Sequence, residues 1–109
     1  MVKRVVVAGA SGLVGRAALR HFAALDGWEA IGVSRRDPAV PGARHLAVDL
    51  TDEAACREAF GALDAITHVV YAALYELPGL FAGWLAETQI ETNGRMLRNL
   101  FDPLLAAAK

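Results

Sequence analysis

Val5-Val6-Val7-Ala8-Gly9-Ala10-Ser11-Gly12-Leu13-Val14-Gly15 joins a continuous apolar, β-branched run to three glycines and then to a helical pattern. The run reads as a buried strand over residues 3–8, and the helix opens at about Leu13. A strand that turns through glycines into a helix brings backbone N–H groups and the positive end of the helix dipole up to a phosphate. The first glycine permits the tight turn, the second lets the backbone approach a pyrophosphate, and the third lets helix and strand pack closely. Gly9, Ser11, Gly12, Leu13, Val14 and Gly15 are therefore the expected diphosphate-binding residues.

A second site is expected roughly 20 residues further on, where the next strand ends and meets the adenine ribose. That strand reads as 28–34, and Ser34-Arg35-Arg36 stands at its end. A carboxylate there would accept from the 2′-hydroxyl of NAD, whereas an arginine accommodates the 2′-phosphate of NADP. Guanidinium matches phosphate by bidentate geometry, so the residues favour NADP(H), with NAD(H) as the alternative. Glu29 lies at the wrong end of the strand, and Asp37 reads as a loop residue pairing with the arginines. The bland reading, a solvated surface pair at Arg35-Arg36, stays open.

Outward from these sites the chain alternates. A helix over 13–26 follows the first strand, and a loop with Pro38, Pro41 and Gly42 leads to a short strand at 44–48. A helix over about 52–61, a strand at 67–73 and a long helix from about 79 to 101 complete the pattern. Asp26-Gly27 and Gly61 mark helix ends, Thr51 or Asp52 caps the start near 52, and Asp102-Pro103 stops or kinks the last helix. Such alternation implies an α/β fold, a Rossmann-type doubly wound parallel sheet of about four strands in order 3-2-1-4. Residues 1–109 form one dinucleotide-binding domain, without repeats or linkers.

Ligands of an open α/β sheet lie beyond the carboxyl ends of the strands. Asp49-Leu50 ends the third strand: Asp49 can accept from the exocyclic amine of adenine while the Leu50 backbone reads the ring edge, or Asp49 simply starts the turn into the next helix. Ala72 and Ala73, after the fourth strand, leave room for ribose and diphosphate. Tyr71 faces either the cofactor or the core. Tyr75, Phe81 and Trp84 around Pro78 and Gly79 line either an apolar substrate pocket or the underside of the last helix.

Composition narrows the class. The chain is 55% hydrophobic, as parallel strands buried on both faces require. Eleven basic against twelve acidic residues give a net charge of −1 and no electrostatic case for nucleic acid or a membrane surface. The single Cys56 excludes an internal disulfide and any multi-cysteine metal site, and a small buried hydrophobe is its expected role. His21, His45 and His68 lack metal-ligand spacing and read as structural or surface residues, so no metal is expected. Lys3-Arg4 before an apolar run imitates a signal peptide, but the run is short and broken by glycines. A cytoplasmic enzyme domain is the expectation.

GASGLVG (9–15), VSRR (33–36), VDLTD (48–52), THVVYAAL (67–74) and ETNGRMLRNLFD (91–102) together resemble the short-chain dehydrogenase/reductase superfamily. The resemblance is to its extended, atypical branch of epimerase/dehydratase-like proteins, closest to the progesterone 5β-reductase/iridoid synthase-like enone reductases. It implies an adenine contact at Asp49 and NADPH-dependent reduction of an enone or carbonyl substrate, a small molecule. Asn93 matches an asparagine that helps hold the catalytic lysine in many members, although this branch departs from the usual active-site set. The general acid, usually a tyrosine with a neighbouring lysine, is missing: no Tyr-x-x-x-Lys follows residue 73, and Lys109 is the only later lysine. No catalytic residue is therefore expected, and the chain reads as the N-terminal portion of a longer enzyme, inactive alone.

Two other functions stay open, a fragment of an NAD-dependent sugar-nucleotide epimerase or dehydratase and a non-catalytic NADP-sensing or interaction module. A sheet ending at the fourth strand leaves Val69-Val70-Tyr71 as an open edge. It also leaves a helix face (Leu85, Ile90, Leu97, Leu100, Phe101) without cover. Self-association through either surface is expected.

Overall fold

Side chains on both faces of the first strand are apolar, and this places it at the centre of the sheet. The computed structural model describes residues 2–63, 65–73 and 87–107, the side chains of 87–89 excepted. Its strands are β1 (Lys3–Ala8), β2 (Trp28–Ser34), β3 (Arg44–Ala47) and β4 (His68–Tyr71). Its helices are α1 (Leu13–Ala23), α2 (Glu53–Gly61) and α3 (Glu87–Ala107). All pairings are parallel and the order is β3-β2-β1-β4. This is a Rossmann-type doubly wound sheet. Among the described residues β4 pairs with β1 alone, and Val69, Val70 and Tyr71 are half-buried.

The period of two along each strand separates two cores. Val5 and Val7 join Ala30 and Ala10 under Leu19 of α1. Val6 and Ala8 join Ile31 and Val33 under Cys56 and Phe60 of α2 and Met96, Leu100 and Leu104 of α3. Val5 to Ala8 are wholly shielded from water, and each buried Val contributes about 1.5–3 kcal/mol. Register follows from this, because a one-residue slip would exchange the two cores. At the far end, Arg4 and Glu29 face each other across β1 and β2 and form an ion pair (Nε–Oε2 3.2 Å).

Element ends differ from the pattern in several places: β3 ends at Ala47 and not at 48, and β4 covers His68–Tyr71 and not 67–73. α1 ends at Ala23 and not at 26, because the Leu25 N–H bonds Phe22 O at 3.2 Å and the Trp28 N–H bonds Leu25 O at 3.3 Å, tightening the exit into turns. α3 runs through Pro103 to Ala107 and does not stop at 101. Met96, Leu100 and Leu104 recur every four residues on the buried face, so packing on both sides of the proline holds the helix together. The expected helix start at 79 lies outside the described residues. The open helix face also needs correction: Leu100 is fully buried, whereas Ile90 and Leu97 are exposed and Phe101 is half-buried. Leu85 lies outside the described residues.

At the other helix start the cap is Asp52, whose carboxylate accepts from the Ala55 N–H at 3.1 Å. Cys56, one turn in, is fully buried, with its thiol 3.5 Å from the Asp49 carbonyl. Burial, aided by the nearby Asp52 and Asp49 carboxylates, pushes the thiol up to about 11. At pH 8 the thiolate fraction is then roughly one in a thousand. Iodoacetamide is expected to modify Cys56 only as fast as the fold opens, and urea is expected to speed the reaction steeply. Rapid labelling of the native chain would contradict this burial.

Candidate functional site

Gly9, Gly12 and Gly15 meet three different local demands. Gly9 holds φ at +79°, and a Cβ on it would lie 2.7 Å from the backbone of Ala72 and Ala73. Its N–H and that of Ala10 both donate to Val33 O, at 2.9 and 3.2 Å, which pins the turn to the end of β2. Gly15 lies inside α1, where a Cβ would stand 2.0 Å from Gly9 O. Gly12 is different, since its Cβ would meet only Gly9 O, at 3.5 Å. It is the N-cap of α1, makes no side-chain cap bond, and is followed by a first turn without acidic residues. A helix end of this kind suits an anion.

Around the turn the carboxyl ends of all four strands enclose a cavity of about 500 Å³. Gly9, Ser11, Gly12, Ser34, Arg35, Asp49, Leu50, Ala72 and Ala73 line it, together with Val33, Val48, Thr51 and Met96. The other expected residues stand outside it. Leu13 and Val14 are 92% and 69% exposed, Gly15 lies beneath the turn, and the Arg36 side chain is not in the wall. Val33 and Val48 lie within the strands expected at 28–34 and 44–48, whereas no local pattern marks Met96.

The corner at the end of β2 is bound into a small network. Ser34 Oγ donates to Arg36 O at 2.5 Å, closing a turn directly after the strand. His45 of β3 brings Nε2 to 3.2 Å from Ser34 Oγ and 3.1 Å from Ser34 O. Asp37 does not pair with the arginines: its Oδ1 accepts from the Ala39 N–H at 2.8 Å, an Asx turn that carries Ala39 through a positive φ of 54°. Arg16, one residue beyond Gly15, donates from Nε to Pro38 O at 3.1 Å and ties this loop to α1. His45, read from the sequence as a structural or surface residue, and Arg16, which sequence reasoning left aside, are structural anchors of the corner.

At the end of β3, Asp49 Oδ1 accepts from the Thr51 N–H at 2.9 Å and the Thr51 hydroxyl at 2.7 Å. These bonds, helped by the charge of Arg35, hold the carboxyl below its ordinary value against a small desolvation penalty. Asp49 thus begins the turn towards α2, and its second oxygen, Oδ2, makes neither bond. Leu50 O accepts from Asn99 Nδ2 at 2.8 Å. Asn99 therefore reaches the cavity wall from α3, and Asn93 is half-buried on the same helix. Tyr71 packs against the core shared by α2 and α3. Its enclosed hydroxyl has no hydrogen-bond partner among the described residues, and burial raises its pKa. The aromatic stretch around Tyr75, Phe81 and Trp84 lies outside the described residues.

The histidines are spread apart: His21 stacks edge-on with Phe22, and His68 contacts Trp28 and Thr67. Among the described residues no group of three or more His, Cys, Asp or Glu is placed to hold a metal, and no helix is long and apolar enough to cross a membrane.

A family model described as "NAD dependent epimerase/dehydratase family" matches residues 5–108. No curated protein matches the chain. Among solved structures, the ligand-free aldohexose dehydrogenase of Thermoplasma acidophilum is similar at TM-score 0.76 and 22% identity, over 97% of this chain and 44% of that one. The UDP-Glc/GlcNAc 4-epimerase of Campylobacter jejuni gives TM-score 0.78 at 17% identity, over 96% and 34%. The NADPH-bound carbonyl reductase from chicken fatty liver gives 0.74 at 17%, over 97% and 48%. At these identities the likeness is one of fold, and the chain spans less than half the length of each of the three.

Proposed function

The chain belongs to the NAD dependent epimerase/dehydratase family, and from that premise we propose that it is the portion of an NADP(H)-dependent oxidoreductase that holds the adenosine and diphosphate half of the cofactor. One observation carries the choice of NADP(H): Arg35 stands in the cavity wall at the end of β2, where an NAD-binding site places a carboxylate. The diphosphate fits the uncapped N-terminus of α1 at Gly12, and a Cβ at Gly9 or Gly15 would destroy the turn that shapes this cradle. Adenine fits between Asp49, whose Oδ2 can accept from its amine, and the Leu50 backbone. Ala72 and Ala73 give the ribose and diphosphate room.

When bound, the nicotinamide supplies or accepts a hydride; these residues bind and orient the distal half of the molecule. The sequence resemblance to enone reductases favours an unsaturated carbonyl as the acceptor, with proton delivery falling to the rest of such an enzyme. A sugar-nucleotide epimerase of the same family is the second reading, compatible with the family model, and cofactor preference separates the two.

The test is a parallel titration with NADPH and NADH, followed by thermal stabilisation. Charge-assisted bonds to a phosphate contribute about 1.5–3 kcal/mol, so Arg35→Ala is expected to weaken NADPH binding roughly 10- to 100-fold and NADH binding by less than about threefold. Equal affinity for the two cofactors in the unaltered chain would sink the NADP(H) reading, and a preference for NADH would favour the epimerase.

A further inference from the structure

Ser34 Oγ donates its only proton to Arg36 O, so towards His45 it presents an acceptor. Ser34 O, 3.1 Å from the same ring nitrogen, is an acceptor by nature, and it also receives the Val48 N–H at 3.3 Å. Two acceptors facing one ring nitrogen require that Nε2 carry the proton. Nε2 of His45 is then a donor, with one N–H shared between both oxygens of Ser34.

We propose that His45 is a positioning residue for recognition of the 2′-phosphate: by holding both oxygens of Ser34 it fixes the turn from which Arg35 enters the cavity. The geometry is a chain of contacts across two strands. His45 lies opposite Gly32 in the β2–β3 register, on the same face as Ser34 two residues along β2. From there the ring reaches Ser34, and the Ser34 hydroxyl reaches over Arg35 to the carbonyl of Arg36. Arg35 is thus bracketed by two residues that the network ties together, and its own side chain is exposed and long. An unrestrained arginine loses about 2 kcal/mol of rotamer freedom on binding, and a fixed backbone origin limits the further loss. The ring itself need not touch the ligand. This inference rests on the NADP(H) reading.

The experiment uses two adenine-half probes, 2′,5′-ADP and 5′-AMP, which differ in the 2′-phosphate alone. The unaltered chain is expected to prefer 2′,5′-ADP. His45→Ala is expected to lower affinity for 2′,5′-ADP roughly fivefold to tenfold while changing 5′-AMP affinity less than about twofold. His45→Gln, whose amide N–H reaches a similar distance as Nε2–H, should restore most of the loss. A uniform loss for both probes, no loss for either, or failure of Gln to rescue would overturn the positioning role. No preference in the unaltered chain would instead overturn the NADP(H) reading beneath it. Should His45→Ala fail to fold, ¹⁵N chemical shifts of the native imidazole decide the matter. A protonated Nε2 is expected, and a bare Nε2 would break the network from which the role is inferred.

Discussion

Gly15→Ala is expected to destabilise the fold by at least about 3 kcal/mol, near 2 M in urea midpoint at an m-value of roughly 1.5 kcal/mol/M. Alanine is the better helix former by about 1 kcal/mol, and on an isolated helix the exchange would stabilise. Here the new methyl would stand 2.0 Å from the Gly9 carbonyl oxygen, and a backbone oxygen cannot step aside without moving the turn or lifting α1 from β1. Sterics outweigh propensity. Gly12→Ala is the matched control: its methyl meets Gly9 O at 3.5 Å, ordinary contact, so the stability cost stays under about 1 kcal/mol. Dinucleotide binding should nevertheless be lost, because the methyl occupies the approach to the diphosphate. Urea unfolding and NADPH titration of both variants read the two effects separately. A Gly15→Ala chain as stable as its parent would show that helix and strand are not in the contact described.

Leu100→Ala carries the second large effect, about 3 kcal/mol, from lost transfer energy and the cavity left between α3, α2 and the sheet. Leu100 is wholly buried beside Phe60 and Ile31 in one cluster. Leu97, three residues before it, is 39% exposed, and Leu97→Ala should cost under about 0.5 kcal/mol. The pair distinguishes the two faces of α3 by denaturant midpoint alone. Similar costs at both positions would mean that α3 is rotated from the orientation described.

These contrasts show where the fold is legible along the chain. β1 and β2 begin and end at the expected residues because an apolar β-branched run bounded by turn residues is a local signal, and the glycine turn after β1 is equally local. The last helix was misjudged for the opposite reason. Asp102-Pro103 is a local stop signal, and packing of Leu100 and Leu104 on either side overrides it. The site divides in the same way. Arg35 and Asp49 were readable as strand-end positions in an alternating fold. Arg16 on Pro38, His45 on Ser34 and Asn99 on Leu50 join segments 22, 11 and 49 residues apart through a side chain and a carbonyl. Such bonds leave no periodicity, since any exposed arginine, histidine or asparagine would look the same before folding.

The bond from Asn99 to Leu50 O makes the Asp49-Leu50 side of the cavity a cooperative unit with α3. A loop free at this point would open on its own, as surface turns do, at little cost in free energy. Tethered to a helix whose inner face is buried from Met96 to Leu104, the Asp49-Leu50 turn must first break this bond to open alone. Its amides then acquire part of the exchange protection of the core helix. The floor on which a purine would lie is thereby stiffer than a free surface turn.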